Sequence, residues 1–215
     1  MALNKLKFNS INVTPAASEG IRFNSSANGL ETASAGGSLV KIAATTASSS
    51  ASISFTSGID STYKEYIFVF NNIHPATQNV DLVFNGSTDG GSNYNVTKTS
   101  TYFYATHSEA DDVASLAYEA DRDLAQSTAF QEVASLIGND NDQSGSGYLH
   151  IFEPSSSVFV KHFIANANSA RASSVRSRNQ QVAGYFNTQS AINAIQFKMS
   201  SGNIDSGTIT MYGVS

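Results

Sequence analysis

The chain has no cysteine, no tryptophan and only three prolines in 215 residues, and just 13% of its residues are charged. That charge content is about half the ~25% of an ordinary soluble domain. Without cysteine there is no disulfide framework, no thiolate zinc site and no thiol nucleophile. Twelve Lys+Arg against 17 Asp+Glu leave a net charge of −5. Phosphate binding needs a basic face, so nucleic acid is not an expected partner. Long apolar runs are missing too. The longest, Tyr66 to Phe70, has the length of a strand, far short of the ~18 apolar residues of a membrane span. Met1 to Val13 reads MALNKLKFNSINV, without the ~7–15 apolar residues of an export signal's core. Neither membrane insertion nor N-terminal export is expected.

Chemical motifs are also sparse. There is no Gly-x-Ser-x-Gly elbow, no phosphate-cradling Gly-x-x-x-x-Gly-Lys and no Gly-x-Gly-x-x-Gly. His74, His107, His150 and His162 do not stand at metal-ligand spacing. His150 and His162 fall in neighbouring strand candidates, where a structural role or a cross-strand pairing is open to them. The carboxylates crowd into one polar stretch and read as solvated, which gives no isolated acid pair for glycoside hydrolysis. No catalytic residue, resident metal or cofactor is expected.

What the sequence does contain is alternation with period two, from Ser38 to the end. Candidate strands are Ser38–Ala43, Ala51–Thr56, Glu65–Asn71, Val80–Asn85, Tyr94–Ala105, Phe130–Ile137, Gly147–Phe152, Val158–Ile164, Gln180–Phe186, Ala194–Ser200 and Thr208–Val214. They are rich in the Val, Ile, Phe, Tyr and Thr that suit pleated, half-buried surfaces. Asp89-Gly90-Gly91 between two candidates reads as a hairpin turn, and Ser201-Gly202-Asn203 with Ser206-Gly207 plays the same part between the last two. Many short strands with frequent turns and no alternating helices predict an all-β fold, an antiparallel β-sandwich of jelly-roll type over 38–215. Residues 1–37 are polar, with sparse apolar side chains, and end in Gly36-Gly37. They read as an extended attachment arm with Phe8, Ile11, Val13, Ile21, Phe23 and Leu30 as apolar anchors. Ser108 to Leu124 is open between two readings. Val113, Leu116, Ala117, Ala120 and Leu124 stand at helical spacing behind a capping Ser-x-x-Asp, and a long acidic loop is the alternative.

Three local features remain. Nine acidic residues between Glu109 and Asp142 face one arginine, Arg122, while Lys161 to Arg178 holds four basic residues and no acid. The two runs read as solvated loops or as head-to-tail complementarity between copies. Asp140-Asn141-Asp142-Gln143-Ser144-Gly145 matches the first half of a calcium loop, with Asp140, Asp142 and Ser144 as oxygen ligands. A closing EF-hand Glu would fall on Ile151, so an EF-hand is excluded; a looser calcium site and a plain turn are the alternatives. Tyr102 and Tyr104 share one face of a strand, available for partner contact or for stacking on a sugar.

Two pieces of the chain carry a resemblance. Ile21-Arg22-Phe23-Asn24-Ser25-Ser26-Ala27-Asn28-Gly29-Leu30-Glu31 resembles a phrase in the N-terminal parts of bacteriophage tail-fibre and tail-appendage proteins. The rest resembles a family of small phage and prophage virion proteins. The matching phrases are Gly37 to Val40, Phe55 to Tyr63 (Phe-Thr-x-Gly-Ile-Asp-x-x-Tyr), Ile73 to Thr77, Ser87 to Tyr94 (Ser-Thr-Asp-Gly-Gly-Ser-x-Tyr) and Ser201 to Gly213. Thr106 to Asp142 matches least. The resemblance implies a virion structural protein assembled in a host cytoplasm, a β-sandwich present in several copies. It supplies no catalytic residues. The expected partners are further copies of itself, as a homotrimer, and other virion proteins. A tail appendage is the first expectation; a capsid decoration protein and a carbohydrate-binding module for host surface glycan are the alternatives.

Overall fold

A computed structural model describes residues 19–23, 26, 28–34, 38–171 and 176–215. Among them there is no helix, and fourteen strands run in order: β1 Glu19–Phe23, β2 Leu30–Ser34, β3 Leu39–Thr46, β4 Ile53–Phe55, β5 Glu65–Pro75, β6 Val80–Ser87, β7 Lys98–Ser108, β8 Ala114–Tyr118, β9 Gln131–Ile137, β10 Gly145–Phe152, β11 Lys161–Arg171, β12 Arg176–Phe186, β13 Ala194–Met199 and β14 Ile204–Val214. The chain divides into two compact units, residues 1–40 with Ser215, and residues 41–214. In the first, β1 and β2 form an antiparallel hairpin from Glu19↔Ser34 to Phe23↔Leu30. Part of the expected arm is therefore paired rather than extended. Phe8, Ile11 and Val13 lie outside the described residues.

In the second unit the strands form one antiparallel array, nearly closed into a barrel-like shape, in the order β3-β14-β5-β10-β11-β9-β6-β13-β4. The array branches at β11, which also pairs with β12, followed by β7 and β8. Alternation writes itself into burial. In β5, Tyr66, Phe68 and Phe70 point inward, and in β11, Phe163, Ala165 and Ala167 do. Phe197 of β13 packs on Phe68 and Phe70 at ring separations of 5.4 and 5.2 Å, and Phe84 of β6 meets Phe163 edge-on at 5.2 Å. This aromatic cluster is the centre of the core.

Most candidate strands appear with shifted ends. The expected Val158–Ile164 begins instead at Lys161 and runs to Arg171, because Val158 and Phe159 sit exposed in the turn before it. Two hairpin expectations are corrected. Gly90 and Gly91 do make a left-handed turn, with φ of 74° and 93°. However, β6 pairs with β13 and β9, whereas β7 pairs with β12 and β8. Likewise β13 pairs with β4 and β6, and β14 pairs with β5. These turns carry the chain between distant parts of the array. The 108–124 segment is not a helix: a turn at 109–112 leads into β8, and Leu116 and Tyr118 stay exposed. Pairing of β8 with β7 won over helical spacing, since Phe103↔Tyr118 and Ala105↔Leu116 face each other across the two strands.

Candidate functional site

A polar concavity lies where the β9–β10 loop meets the ends of β5 and β14. The loop is fastened at both ends: Gly138 N–H donates to the Ala170 carbonyl at 3.1 Å, and Ala170 N–H donates to the Ser144 carbonyl at 3.0 Å. Asn139 N–H reaches Gln78 Oε1 at 2.7 Å. On the β5 side, Asn72 has a left-handed backbone, φ 50°, at a bulge, and its N–H donates to Ser146 Oγ at 3.0 Å. His74 Nε2 lies 3.2 Å from the Asp140 carbonyl and Nδ1 lies 3.6 Å from Asp205 Oδ2. The pocket of about 480 Å³ so formed is lined by Asn72, His74, Asp142, Ser144, Asp205 and Ser206. Asp142 and Ser144 of the calcium-loop motif reach it. Asp140 instead lends its carbonyl to His74 and to Gln143 N–H at 2.8 Å. Among the described residues no three His, Asp or Glu side chains converge as a metal site. What this pocket can do is hydrogen-bond a hydroxylated or amide-bearing surface.

A second polar assembly is internal, and the sequence reading missed it. Arg178, only 3% exposed, is paired with Glu119, and Arg122 bridges Glu119, Glu132 and Asp81. Asp81 also accepts from Leu136 N–H at 2.8 Å, fixing the left-handed bulge there (φ 56°). Ser135 Oγ accepts from Tyr102 Oη and from Arg178 Nε, each at 3.0 Å. Burial, then the neighbouring Asp81, pushes the Glu132 carboxyl above its ordinary value, and burial pushes Tyr102 up to about 12. Burial opposes the charge of Arg122, but Glu132 and Asp81 outweigh it and raise its affinity for the proton. The acids are thus not all solvated, and Arg178 and Glu119, drawn from the two opposed runs, are joined inside one chain. The available signals were Arg122 as the lone base in the acid run, and Gln131, Ser135, Arg178 and Gln180 at inward strand positions.

Lys98 and Lys161 are both fully buried. Lys98 Nζ donates to Asn85 Oδ1 at 2.7 Å and to the Val96 carbonyl at 2.8 Å, and burial depresses its pKa to about 7. Lys161 Nζ donates to the Thr188 carbonyl at 3.1 Å, and burial lowers its pKa as well.

The tyrosine expectation needs correction. Tyr102 has no exposed surface, because its position in β7 faces the core, and the Tyr104 ring is covered by the Arg178 guanidinium at 3.5 Å. Phe103, from the opposite face of β7, is exposed with Leu116 and Tyr118, as are Tyr148 and Ile164 farther across the array. The histidine pairing also fails: His150 stands opposite Ile164 and beside Glu65, with Nε2 2.9 Å from the carboxylate, while His162 stands opposite Tyr185. Of the arm anchors, Ile21, Phe23 and Leu30 are described, and all three are exposed.

No protein-family model, no curated protein and no solved structure matches the chain.

Proposed function

We propose that this protein is a bacteriophage virion structural protein, a tail appendage of the tail-fibre kind that docks by its N-terminal segment and projects its β-domain. The observation that carries the reading is the β1–β2 hairpin. It belongs to a separate compact unit and leaves Ile21, Phe23 and Leu30 exposed. A two-stranded hairpin is marginal alone in water, so these side chains suit burial against another molecule during assembly. The tail-fibre-like phrase Ile21 to Glu31 falls on the same hairpin. Homotrimerisation and contact with other virion proteins belong to the same proposal, and no catalysis is assigned.

The finer architecture belongs to the proposal too. We read the array as a jelly-roll-like sandwich, with β8-β7-β12-β11-β10-β5-β14-β3 as one sheet and β9-β6-β13-β4 as the other. Support comes from β9 and β11 sharing, among the described residues, the single register pair Arg171↔Ile137, and from Phe84 and Phe197 packing onto the first sheet's aromatics.

A cryo-electron microscopy map of the particle tests the placement. Density at the tail with residues 1–37 ordered against a neighbouring protein is expected. Density across the capsid lattice would make this a decoration protein instead. Deletion of 1–37 should leave a folded β-domain that no longer joins the particle; incorporation at the normal level would overturn the docking role.

A further inference from the structure

Arg171 ends β11 and Arg176 begins β12, and the two stand directly opposite each other as a cross-strand pair. Like charges so placed repel. The local field is more positive still: burial, and then Arg178 and Arg176, lower the pKa of Arg171. Among the described residues neither arginine makes an ion pair with a carboxylate. The Nε of each is buried with no hydrogen-bond partner. Two orphaned guanidinium donors at one spot are costly unless something else accepts from them.

Beside them opens a cavity of about 190 Å³, which adjoins the pocket at His74 and shares Asp142 and Gln143 with it. Glu109, Asp142, Gln143, Asn168, Ala170 and Ser177 complete its rim, with Asn168 Nδ2 donating to Ser177 Oγ at 2.8 Å. Its chemistry is mixed in a particular way. The arginines are forked donors suited to a carboxylate or phosphate. The two carboxylates can only accept, and Asn168 and Ser177 can do both. A bare oxyanion would use the arginines and leave the acids facing it unfavourably. A neutral sugar would leave the arginines unanswered. A ring carrying one acidic group and several hydroxyls answers both sets. We infer that the Arg171–Arg176 cavity is a binding site for a single acidic sugar, with the arginines on its carboxylate or phosphate and Glu109 and Asp142 accepting from its hydroxyls. The inference does not depend on where in a particle the protein sits.

The test is calorimetric titration of the full-length chain with glucuronic acid and glucose 6-phosphate, which separate a carboxylate from a phosphate source. Glucose and inorganic phosphate serve as controls. At least one acidic sugar should bind at least about tenfold more tightly than both controls, and Arg176→Gln should lose about tenfold in affinity. Arg176→Gln should also melt no lower than the parent, because it relieves the repulsion. Should that variant fail to fold, Asn168→Ala at an exposed position should weaken the acidic sugar and leave inorganic phosphate unaffected. Glucose binding as well as the acidic sugars, inorganic phosphate binding as well as either, unchanged affinity in the variants, or no binding of either acidic sugar at ~20 mM would each overturn the assignment.

Discussion

Lys98 illustrates how a single residue ties the core to pH. Its ammonium is fully buried against Asn85, the Val96 carbonyl and the face of Phe186, and it titrates near 7 instead of near 10.5. A lysine depressed in the folded state is protonated more readily after unfolding. Between pH 7 and 10.5 the unfolded chain therefore binds more protons, and stability contributed by this site rises with pH across that window, by at most about 5 kcal/mol. Denaturant titrations at pH 6.5, 8 and 9.5 should show that rise in the parent and a flatter profile in Lys98→Met. Equal slopes would mean the buried amine does not control it. Glu119 gives a second test. Glu119→Gln strands Arg178 in the core without its counter-charge and should cost about 3–5 kcal/mol. Lys64→Ala, at an exposed pair with Glu153, should change stability by less than about 1 kcal/mol. Thermal melts of both variants decide whether burial sets the difference.

Among the elements, β10 shows how tightly the strands are spaced. Gly147 pairs with Ala167 on one side and Phe70 on the other, and a Cβ there would lie 2.3 Å from the Asn166 carbonyl and 2.5 Å from Ala167 Cα. Backbone atoms cannot yield as a side chain tip does. Gly147→Ala should therefore destabilise by at least about 2 kcal/mol, measurable by denaturant unfolding, whereas Gly90→Ala meets no neighbour within 4 Å and costs only the strain of its φ of 74°. At the other extreme, β8 is a short strand that among the described residues pairs with β7 alone, and it carries Leu116 at 74% exposure. Leu116→Ser should leave the melting temperature within about 2 °C of the parent, since no core contact is lost. A large drop would mean that β8 is buried in solution.

For the whole molecule, the pairings are mostly non-local. β5 lies between β14 and β10, so Glu65 pairs with Val214, and β4 near the start of the domain pairs with β13 near its end. Closing such loops precedes any reward from the contacts, and refolding of the 41–214 unit should fall on the milliseconds-to-seconds scale or slower. Stopped-flow fluorescence of the tyrosines would report it; a microsecond phase carrying the full amplitude would contradict this topology.

Period-two alternation through Tyr66, Phe68 and Phe70 was enough to expect a strand there, whereas Ala165 and Ala167 of β11 lie beyond the expected strand end at Ile164. The lack of helical segments alternating with the strands excluded parallel α/β folds in the same way. These are local properties, set by side-chain period and backbone preference. The partner of each strand was not local. Gly90-Gly91 marks a turn whether its flanking strands pair or part, and only packing around Phe84 and Phe197 decided that they part. The site followed the same division. The Asp140 to Gly145 loop was legible as a polar turn, but its meeting with His74 and Asp205 joins segments more than sixty residues apart. Burial of Lys98 and Lys161 was likewise not legible in the chain, because a charged residue reads as solvated until its hydrogen-bond partners are brought to it. Sequence alone determined that the domain is built of strands and where most of them lie; tertiary structure decided which strands met, that Tyr102 faces the core, and which polar groups were buried together, since long-range pairing depends on the packing of the whole core.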